Sequence, residues 1–182
     1  MNGTPFLAKD NVFNREQLLE LKEAVLKHGI QEEDRSKCLG KRSDAYWCGR
    51  WEELPYVERI RHNGIRQVEE VWGYELWPRY VTAFMYNIYK DGGEYPWHID
   101  STSEDAPFSD MKATMIINTS TEPYEGGGLH LATHTVRDTH VKHMDTPGNA
   151  IIFRSHCLHR VEPVTSGERT SLTMFFVGPK WR

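Results

Sequence analysis

The stretch Y-K-D-G-G-E-Y-P-W-H-I-D, residues 89–100, joins the end of a strand-like run to a histidine and an aspartate two positions apart. The paired glycines favour a turn. On the extended segment that follows, positions i and i+2 point to the same face, so His98 and Asp100 share a face. An imidazole and a carboxylate are two of the three groups of a 2-His-1-carboxylate site, which leaves coordination positions open on Fe(II).

A second segment with the same chemical interest is H-R-V-E-P-V-T-S-G-E-R-T-S, residues 159–171. His159 opens it, and Arg169 and Ser171 stand ten and twelve positions later. On a strand, Arg169, Ser171 and Thr173 share one face. A buried arginine is costly unless it meets an anion. Beside a metal with open positions, an arginine and a hydroxyl are a good receptor for a carboxylate that does not itself bind the metal.

Other histidines are predicted not to bind metal. The pair His143-Met144-Asp145 runs directly into the turn signal at Pro147 and lies only sixteen residues before His159, so it is predicted to be a polar loop. His130 and His134 have the i, i+4 spacing of a helical zinc site, but their segment has the pattern of a strand and then a loop. The alternation of that strand leaves open whether His130 faces the site.

The order of helices and strands predicts a mainly β fold. A first helix is expected after Asn14, with Gln17 as its capping-box partner and Gly29 as its stop. A second is expected over about Tyr56 to Val71. The inward stripes are Leu18, Leu21, Val25 and Leu26, then Val57, Ile60, Gly64, Val68 and Val71. Strand-like runs follow, rich in β-branched and aromatic residues, at 80–89, 112–118, 128–132, 150–153, 159–164 and 170–177. This order predicts a jelly roll backed by N-terminal α-helices.

Composition predicts one globular domain over 1–182, with helical support to about residue 78 and a jelly-roll core over about 79–178. The 22 basic and 26 acidic residues give a net charge of −4, which argues against a nucleic-acid partner. No apolar run approaches about 18 residues and no signal peptide is recognisable, so no membrane partner is expected. Three cysteines without paired spacing predict a cytoplasmic location. The oligomeric state is open.

These motifs, in this order, resemble the 2-oxoglutarate/Fe(II) dioxygenases, most closely the prolyl 4-hydroxylase-like and PKHD-type branch. The resemblance covers about Tyr80 to Val177 and rests on three segments: the H-x-D pair, Y-E-G-G-G-L at 124–129, and the segment that begins at His159. It implies a double-stranded β-helix, which is a jelly roll, packed on N-terminal helices.

The resemblance also implies the roles of individual residues. Carried over position by position, His98, Asp100 and His159 would hold Fe(II), and Arg169 would bind the distal carboxylate of 2-oxoglutarate. 

Two further contacts to 2-oxoglutarate follow from the resemblance less directly. Ser171 stands where some relatives place a hydroxyl contact, and Tyr89 matches a tyrosine that faces the cosubstrate. Some relatives carry another tyrosine on the strand after the H-x-D turn, but this chain has Ile116, Ile117 and Asn118 there.

The activity that the resemblance implies is a dioxygenase reaction with Fe(II), 2-oxoglutarate and O2, supported by ascorbate. Such an enzyme releases succinate and CO2 and hydroxylates an unactivated C–H, here expected in an amino-acid residue that is free or peptidyl, with a prolyl type plausible. The alternative is a non-catalytic, cupin-like jelly roll that binds a metal or small ligand. Arg169 with Ser171 favours the first, because a plain metal site requires neither residue.

Aromatic residues stand at two further places, before the second helix and next to His98. A basic and aromatic cluster before the second helix is interpreted as a solvated loop or, as a hypothesis, a substrate lid over the barrel mouth; its members are Lys37, Lys41, Arg42 and Arg50 with Tyr46, Trp47 and Trp51. Trp97 is predicted to point away from His98 and to pack in the core.

Overall fold

Strands dominate the computed structural model, which describes residues 6–31, 40–49, 54–78, 83–100, 108–132 and 137–181. The helices are α1 (Arg15–His28) and α2 (Pro55–Trp72), and a short 3-10 helix spans Lys142–Asp145. The strands are β1 (Phe6–Lys9), β2 (Ile30–Gln31), β3 (Asp44–Cys48), β4 (Phe84–Tyr89), β5 (Tyr95–His98), β6 (Ser109–Asn118), β7 (Tyr124–Gly126), β8 (Leu129–Ala132), β9 (Thr139–His140), β10 (Ala150–Arg154), β11 (Leu158–Val161), β12 (Val164–Gly167) and β13 (Arg169–Pro179).

The strands form two facing sheets and a ribbon. A seven-stranded sheet has the order β1-β10-β6-β13-β4-β3-β2, a four-stranded sheet has the order β5-β11-β8-β9, and β12 pairs with β7. From β4 onward the chain alternates between the two larger sheets, and neighbouring strands are antiparallel. This alternation is that of a double-stranded β-helix, so the predicted mainly β jelly roll is confirmed.

Helix α1 begins and ends where the sequence predicts. The Asn14 side chain accepts a hydrogen bond from the Gln17 backbone, Gln17 returns one to the Asn14 backbone, and Gly29 follows the last turn. Leu18, Leu21 and Val25 are buried, but Leu26 is 51% exposed, so its predicted place in the inward stripe is wrong. The reason is geometric, because Leu26 lies about 100° around the helix from Val25, beyond the edge of the stripe.

Helix α2 lies directly against the seven-stranded sheet. A Cβ at Gly64 would lie 2.5 Å from Cε of Met115 on β6 and 2.8 Å from Cζ of Phe176 on β13, so a larger residue would push the helix away. Val57 and Val68 are buried on the same face as Gly64. Neither helix of the described chain combines the length and the apolarity that a membrane span needs.

A second, smaller core fills the space between the two sheets and positions the site. It is built by inward side chains of both sheets, among them Leu129, Leu131, Ile151, Phe153 and Val161. The predicted strand 159–164 is in fact two strands, β11 and β12, because Pro163 between them has no N–H to continue a ladder. The predicted start of β4 at residue 80 lies outside the described residues.

Candidate metal centre and cosubstrate cavity

Three of the predicted residues meet where β5 and β11 pair. His98 and His159 are partners in the antiparallel register, and their ring centroids are 3.9 Å apart. Just beyond β5, Asp100 places Oδ1 3.8 Å from Nε2 of His98 and Oδ2 3.6 Å from Nε2 of His159. Among the described residues these three are the one group of metal-binding side chains whose ligand atoms all lie within 4.8 Å of one another.

Hydrogen bonds fix the orientation of all three side chains. Nδ1 of His98 lies 2.7 Å from the Pro96 carbonyl oxygen, and Nδ1 of His159 lies 3.1 Å from that of Cys157. A carbonyl accepts only, so each Nδ1 carries the proton and each Nε2 keeps its lone pair. The Thr114 hydroxyl donates to Oδ2 of Asp100 at 2.5 Å. Such outer contacts set the tautomer and aim the ligand atoms.

Burial favours the neutral form of the two imidazoles. Loss of solvent lowers the pKa of His98 to about 4, with the neighbouring His159 adding to the effect, and burial lowers the pKa of His159 to about 4. Burial also raises the pKa of Asp100, against the hydrogen bond from Thr114. A neutral imidazole is the metal-binding form. Two imidazole nitrogens and one carboxylate are the donor set that suits Fe(II) with positions left open, so the residues fit this metal.

We expect both imidazoles to stay neutral until the pH falls to about 4, rather than titrating near the ordinary 6.5. Between these values the folded protein binds fewer protons than the unfolded chain at these sites, so the stability that the two histidines contribute is lost as pH falls through this window. Ring 15N–1H spectra of the metal-free protein measure the tautomer and the pKa directly. The urea-unfolded chain, titrating near 6.5, is the control, and ring protonation near that pH in the folded protein would contradict the expectation.

A cavity of about 70 Å³ adjoins the three ligand residues. Its polar wall comes from β13, where Arg169, Ser171 and Thr173 share one face, as the sequence predicts. Tyr89 pairs with Arg169 across to β4, and its ring centroid lies 5.5 Å from the guanidinium carbon. Arg169 is only 1% exposed, yet its Nη1 has no hydrogen-bond partner among the residues that the structure describes. An unsatisfied buried guanidinium is a receptor for an anion.

The Y-E-G-G-G-L segment packs closely against the side chain of Arg169. A Cβ at Gly127 would lie 2.6 Å from Cδ of Arg169, and Gly127 has a φ of +67°. Both the close approach and the left-handed conformation favour glycine here. The glycines therefore allow the arginine side chain to extend between the strands into the cavity.

Sequence reasoning missed one polar residue of this cavity. Asn87 is buried beside Ser171, and its Nδ2 donates to Thr173 at 3.4 Å, while its Oδ1 has no hydrogen-bond partner among the described residues. The alternation of β4 places Asn87 on the same face as Tyr89, so the pattern could have identified it. Lys41, a member of the basic and aromatic cluster, also lines the cavity, with Nζ 5.4 Å from the Tyr95 ring centroid. 

The other candidates have different positions. Tyr46 and Trp47 lie on β3, a short strand of the kind expected in that segment. Ile116 lines the cavity. Lys37, Arg50, Trp51 and His134 lie outside the described residues. His143 lies on the 3-10 helix instead of a loop, and its Nε2 is 3.0 Å from the Lys9 carbonyl oxygen.

Two residues beside the predicted ligands face away from the cavity. His130 pairs with Arg160 on the outer face of the four-stranded sheet. Trp97 points away from the ligands, as predicted, but the predicted core packing is wrong because this side chain is 40% exposed. Strand β5 is the edge of its sheet, and the Trp97 ring on its outer face is covered only in part.

A jelly roll with a two-histidine, one-carboxylate cluster beside a buried arginine defines a class of mononuclear non-haem metal proteins. The model of the 2OG-Fe(II) oxygenase superfamily matches residues 84–177, more than half of the chain, and the chain belongs to this superfamily. Membership implies Fe(II) and 2-oxoglutarate, and it confirms the family that the sequence motifs resemble.

Individual relatives agree with this placement. A PKHD-type hydroxylase of Shewanella oneidensis is 35% identical over 97 residues, which are 50% of this chain and 41% of that protein. The chain thus spans less than half the length of that relative. A Pseudomonas putida prolyl-4-hydroxylase structure has a TM-score of 0.71 at 16% identity, covering 96% of this chain and 92% of that one. A Trichoplax adhaerens prolyl hydroxylase, solved with a hypoxia inducible factor peptide fragment, has a TM-score of 0.74 at 18% identity, covering 96% and 84%. The two structures show the shared fold.

Proposed function

We propose that this protein is a 2-oxoglutarate- and Fe(II)-dependent dioxygenase that hydroxylates an unactivated C–H of an amino-acid residue. The observation that carries the proposal is the position of Arg169. Its buried guanidinium, whose Nη1 is unpaired within the described part of the chain, lines the same cavity as the three clustered ligand residues. A protein that only stored or sensed a metal would have no use for a buried anion receptor at this place.

His98, Asp100 and His159 hold the iron in this proposal. When bound, the iron supplies the reaction with O2 and 2-oxoglutarate that yields succinate, CO2 and a hydroxylated product. The chain contributes the positions of its ligands: the Pro96 and Cys157 carbonyls hold the imidazoles, and Thr114 holds the carboxylate. Fixed ligand side chains would hold the iron beside the cavity that these three residues line.

Arg169 binds the distal carboxylate of 2-oxoglutarate, with Ser171 donating a second hydrogen bond and the Tyr89 ring lining the same pocket. All three residues are buried, so the carboxylate is recognised away from bulk water, where charge-assisted hydrogen bonds are strong. Some relatives contact 2-oxoglutarate with a tyrosine on the strand where this chain has Ile116, so that contact is absent here. The arginine and the serine therefore account for more of the recognition in this chain.

The substrate class is proposed from the relatives. The named similar proteins are hydroxylases, and one structural neighbour was solved with a peptide. A free or peptidyl amino-acid residue, with prolyl as one type to test, is the substrate class that these names favour. We further propose that residues 1–182 act as one catalytic domain in the cytoplasm, without a nucleic-acid or membrane partner. Ascorbate is proposed to support activity by keeping the iron reduced.

The decisive experiment measures succinate formation from 2-oxoglutarate by the purified protein with Fe(II), ascorbate and O2. We expect turnover that stops without O2 and in the His159→Ala variant. Mass spectrometry for a gain of one oxygen then identifies the product across free amino acids, prolyl peptides and lysate proteins. If metal binds but 2-oxoglutarate neither binds nor is consumed, the cupin-like binding module is the correct alternative.

Ser171→Ala is expected to weaken 2-oxoglutarate binding by about 2- to 12-fold, because one hydrogen bond is worth about 0.5–1.5 kcal/mol. Calorimetric titration of 2-oxoglutarate into the Mn(II)-loaded protein measures the change. Thr170→Ser is the matched control, because Thr170 is equally buried on the same strand but points to the other face. No change in Ser171→Ala, or an equal change in the control, would exclude the serine from the cosubstrate site.

A further inference from the structure

Behind the ligand cluster, Trp97 and Arg160 form a second pair on the outer face of the four-stranded sheet. Trp97 directly precedes His98 on β5, and Arg160 directly follows His159 on β11. The guanidinium carbon of Arg160 lies 5.2 Å from the Trp97 ring centroid, within the range of a cation–π contact. The same two strands thus carry one contact on each face: His98 with His159 inside, and Trp97 with Arg160 outside.

Strand β5 has a short ladder with β11. It is the edge strand of its sheet, and its register with β11 consists of two residue pairs separated by an irregularity. The chain is also fixed on either side of the strand: Glu94 exchanges two backbone hydrogen bonds with Arg42, and the Asp100 N–H donates to the Ser155 carbonyl. Between these points, the contact of Trp97 with Arg160 adds to the short hydrogen-bond ladder that joins β5 to β11.

Besides Trp97, Arg160 contacts two carboxylates. Its Nη2 lies 3.3 Å from Oε1 of Glu162 and 3.4 Å from Oδ1 of Asp138. His130 on β8 lies between the same two carboxylates, with Nδ1 2.6 Å from Asp138 and Nε2 3.0 Å from Glu162. The guanidinium therefore connects Trp97 on the edge strand to Asp138, just before β9, and to Glu162, just after β11.

We propose that Arg160, together with Trp97, is a positioning residue for the metal centre. The pair holds β5 against β11 so that His98 stays beside His159 before a metal binds. This inference rests on the proposed ligand set. If the ligands are together for only part of the time, apparent metal affinity falls by that fraction, so a contact that keeps them together strengthens binding without touching the metal.

The test follows hydrogen exchange of the metal-free protein. In Arg160→Ala and in Trp97→Ala we expect the amides of β5 to exchange roughly three- to tenfold faster, since a contact of this kind is individually weak. The amides of β13 should keep their rates. The dissociation constant of Mn(II), used as a redox-stable probe, is expected to rise by a similar factor. Arg160→Lys keeps the charge, so its β5 exchange rates and its Mn(II) dissociation constant should both lie between those of the wild type and of Arg160→Ala.

Two controls separate positioning from a general loss of stability. Lys22→Ala breaks an ion pair with Glu168 of similar exposure, remote from β5, and should change neither measurement. The double variant Trp97→Ala/Arg160→Ala should show no more than the larger single effect, because both changes remove one contact. The proposal would be overturned if β5 exchanged no faster in Arg160→Ala and Trp97→Ala than in Lys22→Ala. It would also be overturned if β5 and β13 were accelerated equally in the two variants. The exchange result needs no metal, so failure of the wild-type protein to bind Mn(II) would overturn the proposed function separately.

Discussion

Replacing Arg169 with alanine is expected to raise the KM for 2-oxoglutarate by roughly 30-fold to several thousandfold. In the proposed site this contact would be a charge-assisted hydrogen bond to a guanidinium that is buried from water. Removing one partner of such a pair typically costs about 2–5 kcal/mol. Iron content should hardly change, because Arg169 is not in the ligand cluster. Steady-state assays with 2-oxoglutarate varied at saturating iron measure the effect.

Arg169→Lys is the matched variant. It keeps the charge but loses the planar fork, so it should recover part of the affinity. A competing interpretation would make Arg169 a surface residue paired with Glu168 or Glu162, with almost no kinetic change on mutation. The structure contradicts that interpretation, since Arg169 is buried and Glu168 pairs instead with Lys22 at 2.6 Å. An unchanged KM in Arg169→Ala would remove the main support for the oxygenase over a binding module.

The parts of the site that the sequence predicts are those encoded by local spacing. His98 and Asp100 share a face because extended residues alternate, and the same rule places Ser171 beside Arg169. The capping box at Asn14 depends on three residues of separation and is present as predicted. Each of these features depends only on the geometry of a few consecutive residues, which a sequence displays directly.

The parts that the sequence does not predict depend on which strands meet. Lys41 reaches the cavity because the backbone of Arg42 pairs with that of Glu94, more than fifty residues away. Trp97 is exposed because β5 becomes the edge of its sheet, and the alternation of a strand cannot show whether its outer face will be covered. The position of Leu26 is a smaller failure of the same kind, since the width of a buried stripe depends on what packs against the helix.

Replacing His98 or His159 with alanine is expected to reduce metal affinity by more than the 10- to 100-fold typical of losing an outer contact, because a ligand itself is removed. Each imidazole also packs on a neighbouring ring, His98 on Tyr95 at 3.5 Å and His159 on Phe153 at 4.7 Å between centroids. Some stability is therefore lost as well. Elemental analysis after anaerobic reconstitution with Fe(II), together with thermal unfolding of the metal-free variants, separates the two effects.

His143→Ala provides the contrast, because His143 and Asp145 repeat the spacing of His98 and Asp100 elsewhere in the chain. The ring of His143 hydrogen-bonds the Lys9 carbonyl, so the variant should lose the stability of one part-buried hydrogen bond, about 0.5–1.5 kcal/mol, and keep its iron. The identical spacing makes this comparison strict, because among the described residues only the His98 and Asp100 pair has a third candidate ligand, His159, within reach. If His143→Ala lost iron and His98→Ala retained it, the choice between the two pairs would be wrong, and the cavity beside Arg169 would lose its proposed metal.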